Sequence, residues 1–101
     1  MEELIKFLNE AKSKKRKIDE LGRITIPVEY RSATSDEIVY QIIEGCLVIS
    51  YSAMDNWSSE KLDRLGRMEI SEVLRERLGW KEKDIIEIIN FKEYIILRKK
   101  N

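Results

Sequence analysis

The chain repeats itself, and the repeat limits what it can become. Residues 17–31 read Lys-Ile-Asp-Glu-Leu-Gly-Arg-Ile-Thr-Ile-Pro-Val-Glu-Tyr-Arg, and residues 61–75 read Lys-Leu-Asp-Arg-Leu-Gly-Arg-Met-Glu-Ile-Ser-Glu-Val-Leu-Arg. Lys17/Lys61, Asp19/Asp63, Leu21/Leu65, Gly22/Gly66, Arg23/Arg67, Ile26/Ile70 and Arg31/Arg75 are identical. That agreement is far beyond chance, so the chain carries a duplicated unit. Two copies within 101 residues leave room for one domain, or for two very small units that share a core.

Each copy is followed by two β-branched runs around a short polar break. The first pair is Ile38–Ile43 and Cys46–Ile49 around Glu44-Gly45; the second is Ile85–Ile89 and Tyr94–Leu97 around residues 90–93. Such runs read as hairpins, and Gly45 can take the positive φ of a tight turn. Short helices are expected over roughly Val28–Ser32 and Glu72–Leu78, with Pro27 at the first helical position of one and Gly79 just past the end of the other. Each repeat therefore reads strand, turn, strand, short helix, hairpin, which makes the chain mainly β. The second copy has four more residues between helix and hairpin. Residues 51–60, rich in Ser, Asn and Asp, read as a linker. Leu4, Ile5, Leu8 and Ala11 have helical spacing and predict an amphipathic helix over residues 2–13. The organisation is then an N-terminal helix and basic arm (1–16), a first repeat (17–50), a linker (51–60) and a second repeat (61–101), the two repeats sharing one core.

Composition removes several functions. There is no histidine, so a His general base, a His-metal site and a Ser-His-Asp triad are excluded. One cysteine allows neither an intrachain disulfide nor a Cys-cluster metal site. No close carboxylate pair stands in a catalytic context, so the chain is expected to be neither an enzyme nor a cofactor protein. The longest apolar runs are too short to span a bilayer, and Met1-Glu2-Glu3-Leu4 does not open a signal peptide. A soluble cytoplasmic protein is expected.

The motif Lys17-Ile18-Asp19-Glu20-Leu21-Gly22-Arg23-Ile24-Thr25-Ile26-Pro27, followed by Arg31, resembles the signature of the AbrB/SpoVT swapped-hairpin family, a superfamily that also holds MazE-type antitoxins and the MraZ regulators. Leu78–Ile88 in the second copy resembles that family's segment after the helix. The two matches together cover about 80 residues and leave out the N-terminal helix and the linker. The resemblance implies a small swapped-hairpin β-barrel from two tandem repeats, each with a short helix, and binding to double-stranded DNA in transcription regulation. The second copy departs at Ser71, where the pattern has proline, and carries Glu69, Glu72 and Glu76 opposite Thr25, Val28 and Ser32. The first copy lacks a Leu-Gly pair after its helix.

The 19 basic and 19 acidic residues cancel, but not locally. Residues 12–31 hold seven basic residues against three acidic ones, a net of +4, whereas residues 61–77 reach only +1. Screening confines each charge to about 8–10 Å, so a local basic stripe suffices for phosphates. The candidate DNA-binding residues are Lys14, Lys15, Arg16, Lys17, Arg23 and Arg31 in the first part, and Arg64, Arg67 and Arg75 in the second. The run Lys12–Lys17 reads as a phosphate-contacting arm or as a solvated helix end. Gly22 permits a tight turn from which Arg23 projects, and a planar guanidinium suits phosphate or guanine. Asp19 can pair with Arg23 or Arg31 and fix its rotamer, or the pair can serve the fold alone. Arg31 falls either beside the first copy's turn or on open surface. The acids of the second copy predict weaker binding through that half. Cys46 reads as a buried structural thiol and Trp57 and Trp80 as packing anchors.

Two other functions compete with a DNA-binding regulator. An antitoxin would bind a toxin partner, usually through a disordered tail beyond the barrel, and this sequence ends on Arg98-Lys99-Lys100-Asn101 straight after the last β-rich run. A non-DNA protein-interaction module is the other, favoured by the charge balance. Two copies can close one barrel alone or exchange hairpins with a second chain; of the two, a homodimer is expected.

Overall fold

The computed structural model describes Lys6 and residues 13–100. The helix expected over residues 2–13 lies outside the described residues, apart from Lys6 and Ser13. Eight strands follow: β1 (Lys14–Lys17), β2 (Arg23–Thr25), β3 (Glu37–Ile43), β4 (Cys46–Ser50), β5 (Ser58–Lys61), β6 (Arg67–Glu69), β7 (Ile85–Phe91) and β8 (Tyr94–Lys99). Between β6 and β7 stands the one described helix of more than a single turn, α1 (Glu72–Leu78). The chain is mainly β, and every strand pair is antiparallel.

The strands form a six-stranded sheet in the order β1-β7-β8-β4-β3-β5 and a two-stranded sheet of β2 and β6. The leading strands of the two copies are exchanged: β1 runs beside β7 of the second hairpin, and β5 runs beside β3 of the first. Matched residues of the copies meet twice, Ile24 against Met68 in the small sheet and Val48 against Ile96 in the large one. An approximate two-fold axis passes through both places.

Expectation and structure differ at four points. The sheets do not close into one continuous barrel, because β2 and β6 direct their ladder bonds at each other and leave β1 and β5 as open edges. The helix expected at Val28–Ser32 is one 3₁₀ turn over Val28–Tyr30. Pro27 offers it no side-chain cap, and no left-handed glycine closes it. In the second copy Ser71 supplies that cap, its Oγ accepting from the Leu74 N–H, and Gly79 ends α1 at φ 73°. The serine cap and the glycine stop, both lacking in the first copy, bound the longer helix of the second. The polar stretch 51–60 contributes Ser58–Glu60 to β5, a short polar edge strand whose composition conceals it. The second hairpin turns at Lys92-Glu93, so that β7 continues through Phe91. The first turns at Glu44-Gly45, with φ of 50° and 79°, both positive as a two-residue hairpin turn prefers.

The main core lies between the two sheets and under α1. Ile24, Ile26, Met68 and Ile70 pack against Leu47, Ile49, Ile86, Ile88 and Leu97, with Leu74 and Trp80 closing one side. A second, smaller cluster of Val48, Ile89 and Ile96 lies on the opposite face of the large sheet, with Cys46 and Trp57 half-buried against it. The two tryptophans are thus packed in different clusters, Trp80 in the main core. Burial pushes the Cys46 thiol up, with Arg98 opposing and Glu44 reinforcing the shift. Among the described residues no helix is long and apolar enough to cross a membrane.

Candidate nucleic-acid interface

Each Leu-Gly-Arg turn is built by one aspartate. Asp19 Oδ1 accepts from the backbone N–H groups of Leu21 and Arg23, and its Oδ2 accepts from Arg23 Nε at 2.8 Å. Asp63 does the same for Leu65, Arg67 and Arg67 Nε, the last at 2.6 Å. Gly22 and Gly66 stand at φ 76° in both turns, a region that side chains other than glycine seldom enter. The choice left open for Asp19 resolves to Arg23. These pairs hold each arginine by Nε, and its Nη nitrogens have no protein partner among the described residues. An arginine fixed by its inner nitrogen and open at its outer pair is preorganised to take an anion or a base edge.

The two turns are stitched together through the opposite copy. Ile26 N–H donates to Gly66 O at 2.9 Å, and Ile70 N–H donates to Gly22 O at 2.8 Å. The turns therefore sit at the two ends of the β2–β6 ladder, four residues or about 14 Å apart at strand spacing. Arg31 packs its guanidinium on Gly66, not on the first copy's turn, and Arg75 packs on Gly22 while its Nε donates to Ile70 O at 2.9 Å. The Arg31 Nε is buried without a hydrogen-bond partner. Both helix arginines thus support the turns from beneath. Leu21 and Leu65 form the tips and are 67% and 59% exposed, although they were not among the sequence candidates.

The basic run Lys14–Lys17 is neither a helix end nor a free arm; it is strand β1. Alternation splits it between two faces. Lys14 and Arg16 stand opposite the wholly buried Ile88 and Ile86, whereas Lys15 and Lys17 stand opposite Glu87 and Ile85. Lys14 pairs with Glu29 and lies over the Tyr30 ring, 5.9 Å from its centre. Lys15 and Lys17 are exposed. The four residues do not form one stripe, because a strand shows alternate side chains to opposite sides.

Cross-pairing also redistributes the acids. Glu69 of the second copy faces Arg23 of the first, while Arg67 faces Thr25. At the tips, Glu20 sits in the first turn where Arg64 sits in the second, both exposed. The surroundings of the second turn are accordingly the more basic. This could not be read from the sequence, since it depends on which strand of one copy lies beside which of the other.

The turn carboxylates are held below their ordinary range. For Asp19 partial desolvation pulls upward, but the Arg23 backbone N–H and side chain and the Leu21 N–H together outweigh it. For Asp63 the Arg67 backbone N–H leads, against desolvation, with the Arg67 side chain and the Leu65 N–H adding to it. Asp84 is lowered chiefly by the Lys81 N–H. Glu87 is lowered, against desolvation, by Ser13 and Arg98. A carboxyl with a lower pKa folded than unfolded stabilises the fold above its unfolded value and stops doing so as pH falls through its folded value. Thermal midpoints followed by circular dichroism should therefore be flat near neutrality and drop between about pH 5 and pH 2. Asp63→Asn should be less stable near neutrality and show a shallower acid drop than the parent. An unchanged drop would show that the turn carboxylates do not contribute.

Among the described residues no group of three His, Cys, Asp or Glu side chains could hold a metal ion. No protein-family model matches the chain, and no curated protein sequence matches it significantly.

Proposed function

We propose that the chain is a DNA-binding regulator of the AbrB/SpoVT type, built on that family's swapped-hairpin plan. The observation that carries this reading is the pair of like-built turns, each presenting an arginine held by its Nε and open at its Nη nitrogens. By the ladder register Arg23 and Arg67 stand two positions, about 7 Å, apart along the strands, close to two phosphate spacings of 3.4 Å along one DNA strand. Two turns related by an approximate two-fold suit the two-fold symmetry of a duplex. The exposed Lys15 and Lys17 extend the basic surface along an edge strand. Arg64 and Arg67 with Lys61 form the other basic flank, and Arg31 and Arg75 act as supports beneath the turns, not as contacts.

A fluorescence titration with duplex DNA at several salt concentrations tests the proposal. With about five phosphates neutralised, log K should fall against log salt with a slope of about −4 to −5. A flat response, or no binding to any duplex from a random pool, would sink it. The pairing of Arg23 with Glu69 across the ladder reverses the asymmetry expected from the sequence: Arg67→Ala should weaken binding more than Arg23→Ala. Glu69→Gln should strengthen it a few-fold, on the order of one removed surface repulsion. Equal losses for the two arginines, with no gain from Glu69→Gln, would refute this ordering.

The exposed leucine tips favour one alternative, a module that binds protein instead of DNA. Failure to bind any duplex, together with loss of a captured partner in a Leu21→Ser, Leu65→Ser variant, would favour it. The toxin partner and the homodimer stay alternatives on this surface that no described contact favours.

A further inference from the structure

The large sheet has two apolar faces, and the described residues cover only one of them. Ile86, Ile88, Leu97, Leu47 and Ile49 turn toward β2, β6 and α1. On the other face, a row of in-register partners crosses the sheet: Ile89 beside Ile96, Ile96 beside Val48, Val48 beside Gln41. Around this row Ile43, Val48, Trp57, Phe91, Tyr94 and Ile96 line an apolar groove of about 190 Å³. All residues of this cluster come from β3, β4, β7, β8 and the approach to β5. Among the described residues no helix or second sheet lies over it. A sheet with an apolar cluster on each face is expected to have a layer on each face.

We infer that this face is the docking site for the chain's own N-terminal segment, residues 1–12. Three observations select this occupant. The first is where the described chain begins. Lys14 stands beside Ile88, so the chain reaches Ser13 beside Ile89, and Ser13 Oγ donates to Glu87 Oε2 at 2.9 Å on that same face. Ser13 therefore stands at the end of the apolar row, and residues 1–12 are joined to the sheet there. The second is length. From β1 to β3 is four strand spacings, about 19 Å; twelve residues as a helix reach about 18 Å. The third is pattern. Leu4, Phe7, Leu8 and Ala11 fall at i, i+3, i+4 and i+7, one apolar stripe of a helix, with Lys6 and Asn9 on the other side. A segment tethered one strand away has a high effective concentration at the groove, which a second copy in dilute solution lacks.

Docking would give the sheet its missing layer and fix the entry to β1, the strand with Lys15 and Lys17. The inference stands on the sheet geometry alone and holds whether or not the protein binds DNA.

Cys46, the lone thiol, packs against the cluster of this face and reports on the groove. In the full chain, Leu4→Cys should form an intramolecular disulfide with Cys46 under mild oxidation, seen as a faster band without reductant and a mass loss of two hydrogens. Lys6→Cys and Asn9→Cys, on the other side of the helix, should not. Crosslinking of all three alike, of none, or only between chains would overturn the inference, the last pointing to a second copy as the occupant. The unmodified thiol gives an independent reading. Cys46 should react with a water-soluble disulfide reagent at least tenfold faster in a Leu4→Asp, Leu8→Asp variant than in the parent, at micromolar protein and without concentration dependence. An unchanged rate in that variant, with its circular dichroism intact, would equally overturn the inference.

Discussion

Replacing Ile24 by alanine should lower the free energy of unfolding by about 3–4 kcal/mol, the range for a buried aliphatic side chain that leaves a cavity. Ile24 is 0% exposed, as is Met68, its ladder partner. Each belongs to a three-residue strand that hydrogen-bonds only with the other as a ladder. The small sheet is held in place by the side chains it sends into the core, so a hole there has little around it that can collapse. Met68→Ala should have a similar effect. The double variant should lose less than the sum, because the second truncation enlarges a cavity already present. Urea unfolding followed by circular dichroism measures all three. A loss below about 1 kcal/mol for Ile24→Ala would show that β2 and β6 are not a packed layer.

The second large effect is expected at Gly66. Alanine there should cost about 2–3 kcal/mol, of which about 1–2 comes from holding a non-glycine residue at positive φ. The remainder comes from Arg31, since a Cβ at residue 66 would stand 2.6 Å from both Arg31 Cδ and Cζ. Gly22→Ala meets Arg75 Cζ only at 3.0 Å and should cost less. The contact is separable from the backbone term by a double-mutant cycle. In an Arg31→Ala background, Gly66→Ala should lose only its backbone part. Equal costs in both backgrounds would show that Arg31 does not support the turn. The same variants also separate fold from interface, because a displaced Arg31 should weaken the proposed DNA binding through the turn it carries and not through a lost phosphate contact.

Local chemistry was legible in the sequence where the cause is local. Asp19 and Arg23 are four residues apart, and their pair follows from spacing and turn chemistry. Gly79 after Leu78 closes α1 at the expected residue. The β-branched runs from Ile38 and Ile85 are strands because their composition suits a half-buried pleat. What depended on tertiary placement was not legible. The basic run Lys14–Lys17 has no apolar alternation of its own, and only its pairing with β7 makes it a strand. Ser58–Lys61 is a strand for the same reason, through β3. Arg31 lies on the turn of the other copy, which no spacing within its own copy could indicate. The same crossing puts Glu69 beside Arg23, which no spacing within one copy could indicate either.

The exchange of leading strands has a consequence for how the two halves share their stability. Where two repeats fold as separate domains, a defect in one stays in that one. Here β1 of one copy completes the hairpin sheet of the other, and each helix arginine props the partner copy's glycine turn. A substitution in one half therefore acts on the stability of the other half as well. Removing either half would leave the other with an unpaired hairpin edge and an unsupported turn, so the two halves stand or unfold as one cooperative unit.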